Sequence, residues 1–306
     1  MEFPHPAIPS VASVHSPVHK ITVEETEAAL KKMKPGKATG PDDLAADVWK
    51  STLWYPAECL AEFFNQVVKE KKVPECWHNS TTIPIWKKKG SPADCFKYRL
   101  IRLLSQNMKI FERILDRRIR EIVKLSDNQL SAVLSDNQCG FVSGCGTIDA
   151  IHAARLLVEK HREKQKPVHI ASLDLKKAFD RVPREVIWYS LRQRNVPEQL
   201  IELVWMLYSF PKSRVQAAAG TSMEFPISVG VHQGSALSPL LFVVVMDGIT
   251  RDLQQPVPFT LLYADDVMLA SEDKNELERQ VQAWCDLLAM FGLKLNVKKT
   301  EYLKPD

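Results

Sequence analysis

Apolar residues recur every three or four positions along several stretches of the chain, which is the spacing of amphipathic helices. The first stretch predicts a helix over about 23–34, and Thr22 with Glu25 supplies the capping box that begins it. The same spacing predicts two further helices, over 60–68 and 110–122. One-sided apolar faces of this kind are typical of core helices, and we assign them no other role.

Short runs of β-branched and aromatic residues predict strands. Such runs are TTIPIW at 81–86, VHIASLDL at 168–175, a hairpin around Gly220, and FTLLYADDVMLA at 259–270. In the last run we expect two short strands to meet in a tight turn at 264–266.

The order of elements changes at about residue 166. From there the chain predicts a strand, helices, two strands, a helix begun by Ser238 and Pro239, the 259–270 hairpin, and a last helix that Gly292 ends. This order matches the split β-α-β plan, in which an antiparallel sheet carries helices on one face. We therefore predict an α/β (α+β) fold whose open sheet face can carry a site.

Asp265 and Asp266 stand side by side within an otherwise apolar run. One interpretation is an acidic hairpin turn in solvent, since Asp is a common turn residue. In the split plan, however, the strand ending in Asp174 neighbours the strand that leads to Asp265, so three carboxylates would meet at one end of one sheet. Repulsion makes that arrangement costly unless cations occupy it, and oxygen ligands without His or Cys suit Mg²⁺. Two such ions about 4 Å apart can support phosphoryl transfer.

Charge is unevenly distributed along the 306 residues. Residues 84–124 contain twelve Lys or Arg and four Asp or Glu, a net charge of +8, whereas the rest contains 29 against 33, a net charge of −4. This distribution indicates a polyanion bound along one lobe and cations held elsewhere, with a solvated helical face as the alternative. The hydrophobic content of 45% allows a substantial core, divided into two domains or two lobes.

Several protein classes are excluded by what the chain lacks. No run approaches the roughly 18 apolar residues of a membrane span, and the N-terminus lacks the order of a signal peptide, so we predict a soluble intracellular protein. The six cysteines show neither CxxC spacing nor paired histidines, which favours free thiols over a zinc site.

Residues 1–20 are predicted to be disordered because four prolines interrupt them. LSDNQLSAV at 125–133 is followed by LSDNQCGFV at 134–142, which we interpret as a local duplication that lengthens a loop.

Four motifs stand in order in the second half of the chain: LDLKKAFDRV, GVHQGSALSPLLF, YADD and GLKLNVKKTEYL. In this order and spacing they resemble the palm motifs of reverse transcriptases, and the set is closest to the LINE-type, non-LTR retrotransposon enzymes. WKKKG, KYRLIRLL and FERILDRRI resemble the fingers segment of that family, and LKKMKPGKATGPDDL resembles the segment just upstream. The resemblance covers nearly all of residues 20–303. It implies a right-hand polymerase with fingers and an upstream extension at 21–165 and a palm at 166–306.

This resemblance implies roles for individual residues. Asp174, Asp265 and Asp266 match the metal-binding carboxylates of the family. Asp180 is a competing candidate, but we expect it to cap the segment that follows. Phe179 matches the position beneath the incoming sugar, where an aromatic ring would collide with a 2′-hydroxyl and so select deoxynucleotides; a purely core role is the alternative.

Other matched positions lie around the nucleotide. Gln233 and Gly234 match positions that contact the nucleotide and template, in a loop where Gly permits close approach of the backbone. Arg99 and one of the lysines at 87–89, for which we choose Lys87, match the fingers residues that meet the triphosphate. Lys299 resembles the lysine proposed as proton donor to the leaving pyrophosphate, with action by charge alone as the alternative.

The chain departs from the family pattern in three places. LIR at 100–102 follows Arg99 where the family usually has Pro, Ile and Ser, and this is expected to tilt Arg99 or move its strand. The duplication falls just before 140–141, where the family's chain runs directly from the fingers helix. The chain stops at Asp306, three residues after the last palm motif, so we expect the thumb, and the endonuclease domain that such elements carry upstream, to be missing.

The sequence thus predicts an RNA-directed DNA polymerase that acts on an RNA template, a DNA primer and deoxynucleotide triphosphates. Its expected cofactor is two Mg²⁺ ions, which Mn²⁺ can replace. One alternative is a truncated, catalytically silent nucleic-acid-binding remnant, whose RNA binding would persist when the carboxylates are neutralised. Another is a different two-metal enzyme such as a nucleotide cyclase, although the basic fingers and GVHQGSALSP argue against it. The family implies action in the nucleus, and the chain shows no convincing localisation signal of its own.

Overall fold

The structure is a computed structural model that describes residues 4–50, 55–124, 137–142 and 144–305. Its helices are α1 Val23–Lys31, α2 Pro56–Glu70, α3 Glu75–His78, α4 Gln106–Lys124, α5 Thr147–Glu163, α6 Ala178–Arg181, α7 Arg184–Gln193, α8 Glu198–Leu207, α9 Ser238–Thr250 and α10 Lys274–Met290. Its strands are β1 Asn79–Trp86, β2 Tyr98–Leu103, β3 His169–Asp174, β4 Lys212–Ala217, β5 Gly220–Thr221, β6 Phe225–Pro226, β7 Thr260–Tyr263, β8 Asp266–Ser271 and β9 Glu301–Leu303. Short 3₁₀ turns span Val48–Lys50, Cys95–Lys97 and Arg251–Leu253.

The predicted helix starts are largely confirmed. At α1 the Thr22 hydroxyl accepts from the Glu25 amide at 3.2 Å, and the Glu25 carboxylate accepts from the Thr22 amide at 3.0 Å, which is a complete capping box. The helix ends at Lys31 rather than Lys34. At α9 the first helical residue is Ser238, as predicted, and the Ser238 amide donates to the Ser235 hydroxyl at 3.2 Å.

The first sheet joins the β1–β2 hairpin to strands from the second half of the chain. Its order is β2-β1-β4-β5, with β6 also paired to β4, and β1 runs antiparallel to β2 but parallel to β4. We expected the strands around Gly220 to lie in the palm sheet, and this part of the prediction is wrong. Buried hydroxyls hold β4 on β1: the Thr82 and Ser213 hydroxyl oxygens are 2.7 Å apart, and Ser80 donates to the Lys212 carbonyl at 2.9 Å.

The second sheet has the order β7-β8-β3-β9, and every strand pair in it is antiparallel, as predicted. The neighbour of β3 is β8, which follows the turn, and not β7, which leads to Asp265. The apolar β8 suits this interior place in the sheet because Val267 and Leu269 are both buried. The register therefore sets Asp174 directly opposite Asp266.

The predicted layer of helices covers one face of the second sheet, and α5 adds cover on part of the other face. On one face α10 packs against β3 and β8, with α9, which is buried along almost its whole length, behind it. On the other face Leu157 of α5 packs with Val168, Ile170 and Ala270. Ile170 and Asp174 share this second face because side chains alternate along a strand. Towards Asp174 the face is only partly covered.

Residues 4–20 contain no helix or strand, yet Ile8 and Val18 pack against the core and the Glu198 amide donates to the Val14 carbonyl at 2.8 Å. These contacts differ from the disorder predicted for 1–20. Of the duplicated segment, residues 125–136 lie outside the described residues. Within the described ranges, no helix combines the length and apolar character needed to cross a membrane.

Candidate active site

The turn between β7 and β8 carries the two adjacent carboxylates. β7 ends at Tyr263 and β8 begins at Asp266, which confirms the predicted tight turn, and Ala264 adopts a left-handed conformation with φ of 58°. The side chain of Gln138 supports this turn, because its amide oxygen accepts from Gly140 at 2.8 Å and from Ala264 at 3.4 Å. A Cβ added at Gly140 would lie 2.4 Å from the Ala264 nitrogen, so the Gly140 backbone packs directly on the turn that carries Asp265.

Three carboxylates meet at this end of the sheet, as predicted. Asp174 and Asp266 are opposite each other in the register, and Asp265 is half-buried beside them. Burial raises the pKa of Asp265, and the charge of Asp174 adds to the increase. Burial also raises the pKa of Asp266, with further increases from the charges of Asp265 and Asp174. The end of β3, the turn before β8 and the start of β8 thus hold three carboxylates close enough to repel one another.

Lys299 and Asn296 hold Asp174 from the segment before β9. Lys299 Nζ lies 2.7 Å from Asp174 Oδ1, and Asn296 Nδ2 donates to Asp174 Oδ2 at 2.8 Å. The Asn296 amide also donates to the Asp174 carbonyl at 2.7 Å, which fastens this segment to the end of β3. The hydrogen bond with Asp174 raises the pKa of Lys299. We did not single out Asn296 from the sequence, although it lies within GLKLNVKKTEYL.

The chemistry of these donors decides whether a metal ion fits. Among the described residues, no group of three or more His, Cys, Asp or Glu side chains stands in an arrangement that could hold a metal ion. Asp174, Asp265 and Asp266 nevertheless offer only hard oxygen donors, and the ammonium of Lys299 supplies part of the positive charge that they require. A divalent cation therefore fits the charge and the donor type of this cluster.

Phe179 and the 230–234 segment form one contiguous surface next to β2. The Phe179 ring stacks on Phe242 with centroids 4.3 Å apart, and the Phe179 carbonyl accepts from the Val231 amide at 2.8 Å. The Arg102 amide donates to the Gln233 carbonyl at 2.7 Å. Of the residues that the sequence predicted to contact the nucleotide, Phe179, Gln233 and Gly234 are thus brought together.

Gly234 allows the 230–234 segment to pack closely against β2. Its φ is 119°, in the region that favours glycine, and a Cβ added there would lie 2.4 Å from the Arg102 carbonyl oxygen. Any side chain at this position would push the loop away from β2.

Arg99 and Lys87 occupy the exposed β1–β2 hairpin. Arg99 pairs with Ile85 in a regular register, so LIR at 100–102 continues the strand without the distortion that we expected. Within the described ranges, no hydrogen bond or ion pair joins either side chain to the three carboxylates. Lys177 Nζ lies 4.7 Å from the ring centre of Phe96, which links the hairpin tip to the segment before Phe179.

Asp180 does not cap the following segment, because it lies inside the short helix α6. Its charge acts on Arg102 instead: burial lowers the pKa of Arg102, and the carboxylate of Asp180 opposes that change.

A cavity of about 350 Å³ opens beside Arg102, between the 33–38 segment, α4 and the 234–236 loop. Five cationic side chains line this cavity: Lys34, Lys37, Arg102, Lys109 and Arg113. Three of them come from the basic window at 84–124.

Comparisons with known proteins match this chain to one protein family. A family model described as "Reverse transcriptase (RNA-dependent DNA polymerase)" matches residues 86–306. The Pol polyprotein of a type-1 R2 retrotransposable element from Nasonia vitripennis is 28% identical over 303 residues, covering 96% of this chain and 28% of that protein. The RNA-directed DNA polymerase of the jockey element from Drosophila melanogaster is 28% identical over 255 residues, covering 83% of this chain and 27% of that protein.

Solved structures agree at the level of the fold. A telomerase from Candida albicans superimposes with a TM-score of 0.52 at 14% identity, covering 79% of this chain and 47% of that one. The predicted polymerase fold with fingers and palm is thereby confirmed. The chain spans under a third of the length of the R2 and jockey proteins. It belongs to the reverse transcriptase family and is similar to the non-LTR retrotransposon branch of it.

Proposed function

We propose that the chain is the fingers and palm part of an RNA-directed DNA polymerase, with fingers and an upstream extension at 21–165 and the palm at 166–306. The observation that carries this proposal is the cluster of Asp174, Asp265 and Asp266, built on two paired strands and held by Lys299. Its substrates would be an RNA template, a DNA primer and deoxynucleotide triphosphates, and action on chromosomal DNA would place it in the nucleus.

Asp174, Asp265 and Asp266 would hold two Mg²⁺ ions, or Mn²⁺ in their place. When bound, the ions would lower the pKa of the primer's 3′-hydroxyl and stabilise the charge on the leaving oxygen. Asn296 and Lys299 would orient the Asp174 carboxylate through its two oxygens. Lys299 would also offer a proton or a positive charge to the departing pyrophosphate.

Other residues would bind the substrates. Gln233 and Gly234 would line the nucleotide pocket, and Arg99 and Lys87 would meet the triphosphate from the β1–β2 hairpin. The cationic cavity beside Arg102 would suit phosphate groups, since several positive side chains face one space.

Primer extension by the purified chain tests the proposal. The assay uses a DNA primer on an RNA template with Mg²⁺ or Mn²⁺, beside a reaction containing EDTA. Extension that requires the divalent ion and follows the template sequence is expected. RNA binding without extension under every condition would contradict the polymerase proposal and favour the silent nucleic-acid-binding alternative.

Phe179→Val is expected to raise the use of ribonucleotides. A smaller side chain leaves room for a 2′-hydroxyl, so discrimination against ribonucleotides should fall by about 10-fold or more, because steric exclusion in a packed pocket is worth roughly 1–3 kcal/mol. The measurement is the ratio of kcat/KM for a deoxynucleotide to that for the matching ribonucleotide. Phe96→Val on the hairpin is the matched control. Unchanged discrimination in a folded Phe179→Val protein would show that Phe179 has only a core role.

Lys299→Met and Lys299→Arg separate a proton donor from a positive charge. The Met variant is expected to extend primers about 100-fold more slowly if Lys299 acts as an acid. Arginine keeps the charge but does not give up a proton at neutral pH. Activity of Lys299→Arg close to wild type would therefore reject the proton-donor role and retain the electrostatic one. Lys298→Met, a change at the exposed neighbouring residue, is the control.

A further inference from the structure

Glu112 of α4 is a fully buried carboxylate that the proposed reaction does not use. One of its oxygens, Oε1, accepts from the Ser235 hydroxyl at 2.7 Å, and the other, Oε2, accepts from the Ala236 amide at 2.8 Å. Both donors belong to the loop between β6 and α9. One carboxylate from the fingers side of the molecule therefore binds two consecutive residues of a palm loop.

Ser235 passes this restraint on to α9. Its hydroxyl oxygen accepts from the Leu237 amide at 3.1 Å and from the Ser238 amide at 3.2 Å, so it binds the N-cap residue and the first helical residue of α9. Glu112 accepts the only proton that the hydroxyl can donate, which leaves the lone pairs of Ser235 for these two amides. The carboxylate thus sets the orientation of the Ser235 hydroxyl.

The same loop carries Gln233 and Gly234 on its other side. There the Arg102 amide binds the Gln233 carbonyl, and Gly234 packs directly on the Arg102 carbonyl. The loop is consequently fixed at two points, by β2 before Gly234 and by Glu112 after it.

We propose that Glu112 is a positioning residue that holds the 233–236 loop in the geometry required for nucleotide binding. This inference rests on the proposed polymerase function, and it concerns a residue that touches neither nucleotide nor metal. A buried carboxylate is costly, so a purely structural contact could be made more cheaply by an apolar side chain. Two donors in the loop require an acceptor with two free oxygens.

The ionisation of Glu112 agrees with this geometry. Burial raises the pKa of Glu112 to about 6, and the hydrogen bonds from Ser235 and Ala236 oppose the increase. Lys109 and Arg113 on the same helix favour the charged form as well. At neutral pH Glu112 is therefore mostly ionised and accepts from both donors.

Glutamine cannot replace this carboxylate. If its amide oxygen faces Ala236, its NH₂ group faces Ser235, whose lone pairs already accept from Leu237 and Ser238. If the amide is turned over, the NH₂ group faces the N–H of Ala236. Glu112→Gln therefore preserves volume but loses at least one hydrogen bond of the loop.

The test compares Glu112→Gln with Glu121→Gln, the same change at an exposed position of the same helix. In the Glu112 variant, the backbone amides of residues 236–238 are expected to exchange with solvent hydrogen about 10-fold faster, because either orientation of the glutamine amide removes a hydrogen bond that restrains the loop. The KM for deoxynucleotide in primer extension is expected to rise about 10-fold with a smaller change in kcat. Glu121→Gln is expected to alter neither quantity.

Each result bears on one claim. Unchanged exchange at all of residues 236–238 would overturn the restraint, and faster exchange with an unchanged KM would overturn its role in nucleotide binding. Absence of extension by the wild type would overturn the proposed function instead, and titration of the protein with primer-template and deoxynucleotide then supplies the affinity in place of KM. Should Glu112→Gln not fold, Ser235→Ala removes one of the same hydrogen bonds and is measured in the same way.

Discussion

Replacing Asp265 and Asp266 together with asparagine is expected to reduce primer extension on the order of 10³-fold or more, because groups that stabilise transition-state charge are each worth about that much. Asparagine keeps the shape of the turn but removes the negative charges that would hold the divalent ions. RNA binding is expected to persist, since it depends on phosphate contacts made by the basic lobe. The measurement is single-turnover extension beside filter binding of the template. Asp286→Asn, at an exposed position of α10, is the control.

The same double variant is expected to unfold at a higher temperature than the wild type when no divalent ion is present. Burial and mutual repulsion raise the pKa of both carboxyls in the folded protein. A carboxyl whose pKa is raised by folding lowers the stability above that pKa, and the loss is recovered as the pH falls through it. Asparagine removes this cost at neutral pH.

Thermal unfolding with and without Mg²⁺ checks this second effect. The ion is expected to stabilise the wild type and to leave the double variant unaffected, because only the wild type offers it the carboxylates. A variant that is both less active and less stable than the wild type in EDTA would indicate structural carboxylates. Activity retained by the double variant would contradict the site assignment itself.

The fold could be predicted from the sequence where a local pattern decides the structure. The capping box of α1 and the apolar stripe of α4 both specify their helices within a few residues. Strand pairing is different, because alternation indicates which face is buried but not which strand lies alongside. For that reason β4 was expected beside the palm strands and instead lies on β1, where buried hydroxyls meet.

In the candidate site, too, local patterns could be predicted from the sequence and long-range contacts could not. The three carboxylates were found because like charges in apolar runs are unusual, and motif order then linked them. Asn296 and Gln138 were missed because each acts through a hydrogen bond to a residue more than 100 positions away. Glu112 did leave a signal: it lies four residues after Met108 and three before Leu115, on the apolar side of α4. A charge at such a position indicates a buried partner even when the sequence does not identify it.

Asp247→Asn is expected to destabilise the protein by roughly 3–5 kcal/mol, because it removes one charge of a fully buried ion pair. Asp247 lies within the apolar helix α9, and its carboxylate contacts the guanidinium of Arg194 at the end of α7. Both side chains are essentially inaccessible, with 0% and 2% of their surfaces exposed. Burial lowers the pKa of Arg194, and Asp247 opposes that change. Total stabilities of about 5–15 kcal/mol make such a loss a large fraction.

Urea unfolding measures the lost free energy of unfolding. An exposed ion pair serves as the comparison. Lys71 and Glu202 are 2.7 Å apart with 67% and 45% of their side chains exposed, so Glu202→Gln is expected to cost at most about 1 kcal/mol. Replacing both buried partners, with Arg194→Met and Asp247→Leu, should recover much of the loss, since two apolar side chains leave no uncompensated charge. A single-variant cost no greater than that of Glu202→Gln would mean that Arg194 keeps its charge compensated without Asp247. Because the first residue of α9 binds the Ser235 hydroxyl and Phe242 of α9 supports Phe179, a loosened α9 is expected to weaken deoxynucleotide binding before the whole protein unfolds.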